Sequence, residues 1–271
     1  MLTKLLKYEW KASYKIVTLM NLFIIVSTAI GILTLITQVW NTESKSISSM
    51  GALLFVFYFL SIALVSVTAT IYVAVRFYRG MYTDEGYLMH TLPVTKNQLL
   101  LSRTIIGTVH IAVTSIVISF SMLLLFYFLA TRLDPAARSA IAFELNTGDL
   151  SELISIFATN KVMKISLIIF YFVMCAIDSV LLCFASISLG QLFTKHKIIS
   201  SIICYIGFYT ILQIASSFVI LPFTGLTLMN KIPLSTILDI GLIVETALII
   251  ICNVIFYFIS YYILNKKLNL D

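Results

Sequence analysis

Residues 165–189 read ISLIIFYFVMCAIDSVLLCFASISL, twenty-five residues with one charge, Asp178, and neither proline nor glycine. About 20 apolar residues in helical form cross the roughly 30 Å hydrocarbon core of a bilayer. Inside that core a chain must satisfy its own backbone polar groups, so the run is helical. A helix this apolar on every face has no side to offer water. The stretch therefore predicts a transmembrane span.

Five further runs of the same kind lie at 16–39, 50–75, 104–130, 198–221 and 241–264. The run at 198–221 is the thinnest, being diluted by Gln213, Ser216 and Ser217 and followed by Pro222 and Gly225. None shows the alternation in ten-residue pieces that a membrane barrel strand requires. The first run, at 24 residues, exceeds the roughly 7–15 residues of a signal-peptide core. Composition agrees: 60% of the 271 residues are apolar and 11% charged, against about 25% charged in soluble domains, and the mean hydropathy is +1.04. The sequence thus predicts an all-α integral membrane protein, one six-span domain over 1–271.

Basic residues orient such a chain, because loops retained on the cytoplasmic side carry the excess of Lys and Arg. With both termini inside, the inner segments hold Lys4, Lys7, Lys11, Lys15, Arg76, Arg79, Lys96, Arg103, Lys195, Lys197, Lys266 and Lys267. The outer segments hold Lys45, Arg132, Arg138, Lys161, Lys164 and Lys231, so twelve face six. A membrane location with both ends cytoplasmic is expected. The net charge of +6 then reflects topology and contact with lipid. A nucleic-acid partner would need a soluble basic face, which the sequence does not offer.

In the first fifteen residues Lys4, Lys7, Lys11 and Lys15 recur at intervals of three and four, one face of a helix. Leu2, Leu5, Leu6 and Ala12 lie opposite, with Tyr8, Trp10 and Tyr14 at the borders. The pattern predicts an interfacial helix lying flat over 1–15, its ammonium groups toward water and anionic lipid. Glu9 falls on the apolar side, where a partner from the 76–103 loop would account for it.

That loop reads RFYRGMYTDEGYLMHTLPVTKNQLLLSR. Thr83 followed by Asp84 and Glu85 signals a helix start, the acids favoured by the dipole of the first turn. The short helix must stop at Pro93, since the residue before a proline avoids the helical region. Thr95 with Gln98 three residues on forms a capping box for the next helix. A helix over 83–93 carries an apolar edge of Tyr87, Leu88, Met89 and Leu92 with no core to receive it, which suggests a protein partner.

Here the residues carry a resemblance. EGYLMHTLPVTKNQLLLSR resembles the inner loop of permease subunits of bacterial type-2 ABC exporters, in which an acidic residue precedes a Tyr-Leu-x-x-Thr-Leu-Pro-Val stretch. The basic N-terminal helix and the six spans are similar too, so the likeness covers the whole chain. It implies a permease that pairs with a second protomer and docks on a dimer of separate cytosolic ATPase subunits, which bind ATP and Mg. The segment Asp84, Glu85, Gly86, Tyr87, Leu88, Met89, His90, Thr91, Leu92 and Pro93 would be the coupling helix resting on the ATPase. The resemblance also implies short re-entrant outer helices between the fifth and sixth spans, where Pro222–Gly225 and 231–234 break the pattern. Peptides, antibiotics and lipid-like compounds are the substrates of such permeases. The outer loop at 132–164 departs from the pattern.

No catalytic site is expected. The phosphate loop GxxxxGK[ST] is absent, as are HExxH and GxSxG, so this chain itself has no such motif for nucleotide or hydrolytic chemistry. Cys175, Cys183, Cys204 and Cys252 sit inside spans without CxxC spacing and read as packing residues rather than metal ligands or disulfides. His196, between Lys195 and Lys197, reads as a solvated turn residue. Two acids stand in apolar surroundings. Asp178 is near the middle of the fourth span, where an ionised carboxylate costs roughly 2.5–3.5 kcal/mol, and Glu245 is near the outer end of the sixth. Asp178 must be protonated, face a wet cavity, or meet a partner such as His110 of the third span or a second protomer. These three are the candidate path residues. Two other functions fit the composition: a proton-coupled secondary transporter using Asp178 or Glu245, and a non-transporting immunity or scaffold protein.

Overall fold

A computed structural model of the chain describes residues 2–37, 45–86, 91, 94–132, 161–193, 195–228 and 234–266. These form six long helices and, among the described residues, no strand: α1 (Leu2–Ile36), α2 (Lys45–Tyr82), α3 (Lys96–Arg132), α4 (Lys161–Gly190), α5 (Lys197–Leu228) and α6 (Leu234–Lys266). All six are long and apolar enough to cross a membrane. Five of the expected spans fall wholly within one helix each, and the first overlaps α1, which ends at Ile36. Every helix is longer than a minimal span.

Side-chain placement argues for the membrane independently of hydropathy. Leu19 is 70% exposed and Phe218 73%, while Ser13, Ser102, Ser188 and Ser260 are completely buried. A bundle that turns leucine outward and serine inward is matched to an apolar solvent; small and hydroxyl residues are what let spanning helices approach closely. On α1 the buried stripe is Glu9, Ser13, Val17, Asn21, Ile24, Thr28, Gly31 and Leu35, at helical steps of three and four. Thr28 meets Ser121 of α3 at 2.6 Å, Tyr58 of α2 meets the same Ser121 at 2.7 Å, and Ser61 donates to Ser27 at 3.0 Å. One hydroxyl cluster therefore ties α1, α2 and α3 together.

Contacts between helix ends fix an up-and-down arrangement. Glu9 of α1, Arg76 of α2 and Arg103 of α3 meet at one end. Tyr82 donates to Ser188 of α4 at 2.9 Å, and Lys96 donates to the Leu264 carbonyl of α6 at 2.9 Å. A lysine there satisfies carbonyls that the last turn of α6 leaves free. This basic end is filled by Phe77, Met81, Leu100, Val180, Phe184 and Leu264, with the Phe77 and Phe184 rings stacked at 3.8 Å. At the opposite end Leu35, Tyr58, Ile62 and Leu125 pack together, and Lys164 of α4 pairs with Asp239 of α6 at 2.9 Å. A second core, of Leu181, Leu182, Ala185 and Phe256, holds α4 to α6.

Two expectations change, and a third falls mostly outside the described residues. Residues 1–15 are not a separate flat helix: 2–36 is one helix of 35 residues, about 52 Å long at 1.5 Å per residue. The buried stripe continues unbroken from Glu9 to Leu35, so nothing in the packing breaks the helix. Lys4, Lys7, Lys11 and Lys15 do share an exposed face, with Trp10 exposed beside them. Second, α5 continues through Pro222 and Gly225 to Leu228, so the helix does not break where those residues predict. Residues 229–233 lie outside the described ones. Third, α2 runs to Tyr82 and a helical turn at 84–86 follows, its Gly86 N–H bonded to the Thr83 carbonyl at 2.7 Å. Residues 87–90, 92 and 93, most of the expected coupling helix, and 133–160 of the outer loop are outside the described residues. The cap at Thr95 is as expected, since the Gln98 N–H donates to its hydroxyl at 3.3 Å.

Candidate functional site

On α4, Cys175, Asp178, Ser179 and Leu182 share one face by helical spacing, and they turn toward α5 and α6. There they line a cavity of about 220 Å³ together with Tyr205, Tyr209, Gln213 and Ser216 of α5 and Glu245 and Leu248 of α6. Tyr209 and Gln213 are also exposed on the bundle surface, so the cavity opens on its α5 flank. Among the described residues the lining holds two acids and no Lys, Arg or His.

The two acids play different parts. Glu245 accepts from the Ser216 hydroxyl at 2.5 Å and from the Tyr171 hydroxyl at 3.3 Å, which ties α4, α5 and α6 together. Asp178 has no such tie: its Oδ1 is buried without a hydrogen-bond partner among the described residues. A buried carboxyl oxygen left unpaired costs free energy on the order of 1–3 kcal/mol or more, so Asp178 sits where a countercharge or a proton is needed. Tyr205 and Tyr209 line the same cavity, their rings near-parallel with centroids 6.4 Å apart.

His110 is not part of this cavity. It belongs to a second cluster between α1, α2 and α3, at the basic end. Its Nε2 is 3.2 Å from the Ser13 hydroxyl, and its ring is 5.6 Å from that of Trp10. Beside it Arg76 donates to Glu9 Oε2 through Nε at 2.8 Å and Nη2 at 2.6 Å, and to the Glu9 carbonyl at 3.0 Å. Arg103 approaches the other carboxylate oxygen at 3.5 Å and donates to the Arg76 and Phe77 carbonyls at 3.2 and 3.4 Å. Glu9 and Arg103 are only 5% and 6% exposed. The acid on the apolar side of α1 thus pairs with the two arginines that bound the 76–103 loop.

Sequence reading found Asp178 and Glu245 but not their companions. Tyr205, Tyr209, Leu212 and Ser216 recur at steps of three and four along α5, one polar-aromatic stripe in an apolar helix, and that period was the available signal. The four cysteines are free, with Cys183 buried in the core at the basic end. No group of three or more His, Cys, Asp or Glu among the described residues could hold a metal. Comparison with protein-family models, with curated proteins and with solved structures gave no match.

Proposed function

We propose that this chain is the membrane-spanning permease subunit of an ATP-driven ABC exporter. It forms, with a second permease protomer, the path for an amphipathic substrate such as a peptide, an antibiotic or a lipid-like compound. A cytosolic ATPase dimer supplies the energy by binding ATP and Mg. The chain lies in a bacterial cell membrane with both termini cytoplasmic, so the basic end faces the cytoplasm.

The observation that carries this reading is the Asp178–Glu245 cavity, a polar space among helices whose outer surfaces are apolar. Intramembrane acids of this kind mark solute pathways. The inner ionic cluster supports the coupling route. Arg103 grips α2 carbonyls just before the 83–95 segment and reaches Glu9 of α1, so a push on that segment would be felt by α1, α2 and α3 together. The resemblance of the 85–103 stretch to type-2 permeases names the partner that would push.

Isolation of the tagged chain in mild detergent from its native membrane, with the co-isolating proteins assayed for ATP hydrolysis, tests the reading. The ATPase is expected to co-isolate with wild type and to be lost in Leu88→Asp or Leu92→Asp. Absence of any ATPase from the wild-type preparation, with transport intact in both variants, overturns it. One observation favours a second reading, a proton-coupled secondary transporter: the unpaired Asp178 oxygen would suit a coupling proton. Uptake driven by a pH gradient without ATP would establish that alternative.

A further inference from the structure

The α4–α6 cavity holds a chemical demand that the fold does not meet. Asp178 brings a carboxyl into it, and among the described residues its Oδ1 is buried and unpaired and no basic side chain lines the space. In apolar surroundings a carboxylate needs a positive partner. Glu245 does not share the need to the same degree, because both its oxygens accept hydroxyl hydrogen bonds.

The shape of the space narrows the partner. A hard divalent ion wants six or more oxygen ligands, and the residues present supply no cluster of metal-ligating side chains among those described. Tyr205 and Tyr209 instead present two parallel rings, and ring faces attract weakly hydrated organic cations. The volume of about 220 Å³ is below the range of roughly 300–1,000 Å³ typical of drug-sized pockets, so it admits a head group rather than a whole amphiphile. The exposed Tyr209 and Gln213 leave the α5 flank open, beside Ile206 and Phe218, which are exposed to the apolar exterior. A tail can remain in that exterior while the head enters.

We infer that the cavity binds the ammonium head group of an amphiphile, with the Asp178 carboxylate as countercharge and the Tyr205 and Tyr209 rings as the cation's walls. The assignment rests on reading the cavity as part of the permease path, and it deepens that reading by naming the substrate class as a cationic, tail-bearing amine or quaternary ammonium compound.

The test is equilibrium dialysis of the purified full-length chain in lipid nanodiscs against radiolabelled choline. Choline is a head group of fitting size, and 3,3-dimethylbutan-1-ol is its uncharged carbon isostere. Wild type is expected to retain choline, and decyltrimethylammonium to displace it at lower concentration than unlabelled choline does. The isostere is expected to compete at least about ten-fold less well, the difference a cation between ring faces and a carboxylate makes. Asp178→Asn should lose about ten-fold or more in affinity. Tyr209→Leu, at a surface-exposed position that does not endanger folding, should weaken binding without abolishing it. Equal competition by the isostere, equal binding by Asp178→Asn, or no retention by wild type overturns the inference; the last two leave Asp178 to a proton or to structure. ATPase co-isolation does not depend on this cavity. Failure of choline binding with ATPase association intact therefore removes the substrate class alone, and loss of ATPase association with binding intact removes the exporter reading alone.

Discussion

Gly80 is the seat of the Arg103 guanidinium: a methyl group on Gly80 would overlap both of its terminal nitrogens. The glycine is needed there for space, since no glycine among the described residues has a positive φ. Gly80→Ala would evict a buried cation from the carbonyls of Arg76 and Phe77 and from Glu9. We expect a loss of about 1–3 kcal/mol, read as thermal unfolding in micelles. Gly207→Ala and Gly241→Ala, where nothing lies within 4 Å, should be neutral or stabilising by up to about 1 kcal/mol. Equal behaviour of the three variants would remove Gly80 from the ionic cluster.

Glu9 is the shared counter-ion of two arginines, one of them almost wholly buried. Its removal leaves positive charge unpaired, and breaking a buried pair costs about 3–5 kcal/mol. Glu9→Gln should therefore cost about 3 kcal/mol, and Glu9→Gln with Arg76→Gln should cost less than the sum of the single changes. Strict additivity in the cycle would show that the 2.6 Å pair does not couple α1 to α2.

Gly190 closes the turn between α4 and α5. A Cβ there would stand 2.6 Å from the Ser201 backbone nitrogen and 2.7 Å from its Cα, and backbone cannot rotate away as a side chain can. Gly190→Ala should lie near the top of the roughly 1–3 kcal/mol range for overpacking, with lower yield of folded protein in the membrane. Wild-type yield and unfolding temperature would contradict the close approach.

Ser121 serves both Thr28 and Tyr58. Interhelical hydrogen bonds in membranes average about 0.6 kcal/mol each, so Ser121→Ala should cost about 1 kcal/mol in the same unfolding assay. No change would show that the two hydroxyls find other acceptors.

Asp178→Asn should lower transport while leaving membrane yield unchanged, because no described hydrogen bond depends on the Oδ1 it alters. Transport assays in whole cells, normalised to immunoblotted protein, read this. Unchanged transport would take Asp178 out of the path.

How much of this could be read from residues alone differs by feature. The six spans were plain, because twenty or more apolar residues in a row have one stable form in a bilayer. The cap at Thr95 was plain as well, being local chemistry between Thr95 and Gln98. The first turns were misread. A lysine stripe looks the same on a flat interfacial helix and on the projecting end of a long span, and what distinguishes them is tertiary: Glu9 and Ser13 face Arg76 and His110, whose approach no local pattern encodes. His110 and Asp178 illustrate the same limit. Each is a lone polar group in an apolar run, yet one packs against α1 and the other opens on a cavity with Tyr205 and Tyr209. Chain order carries no signal for that choice.

The most direct test of the central claim is ATP turnover by an ABC-type ATPase subunit dimer from the same cell, reconstituted in nanodiscs with and without this chain. The account predicts turnover that depends on the chain and falls to the level of the ATPase alone when Leu88→Asp is introduced. Turnover identical with the chain, without it and with the variant would contradict the account.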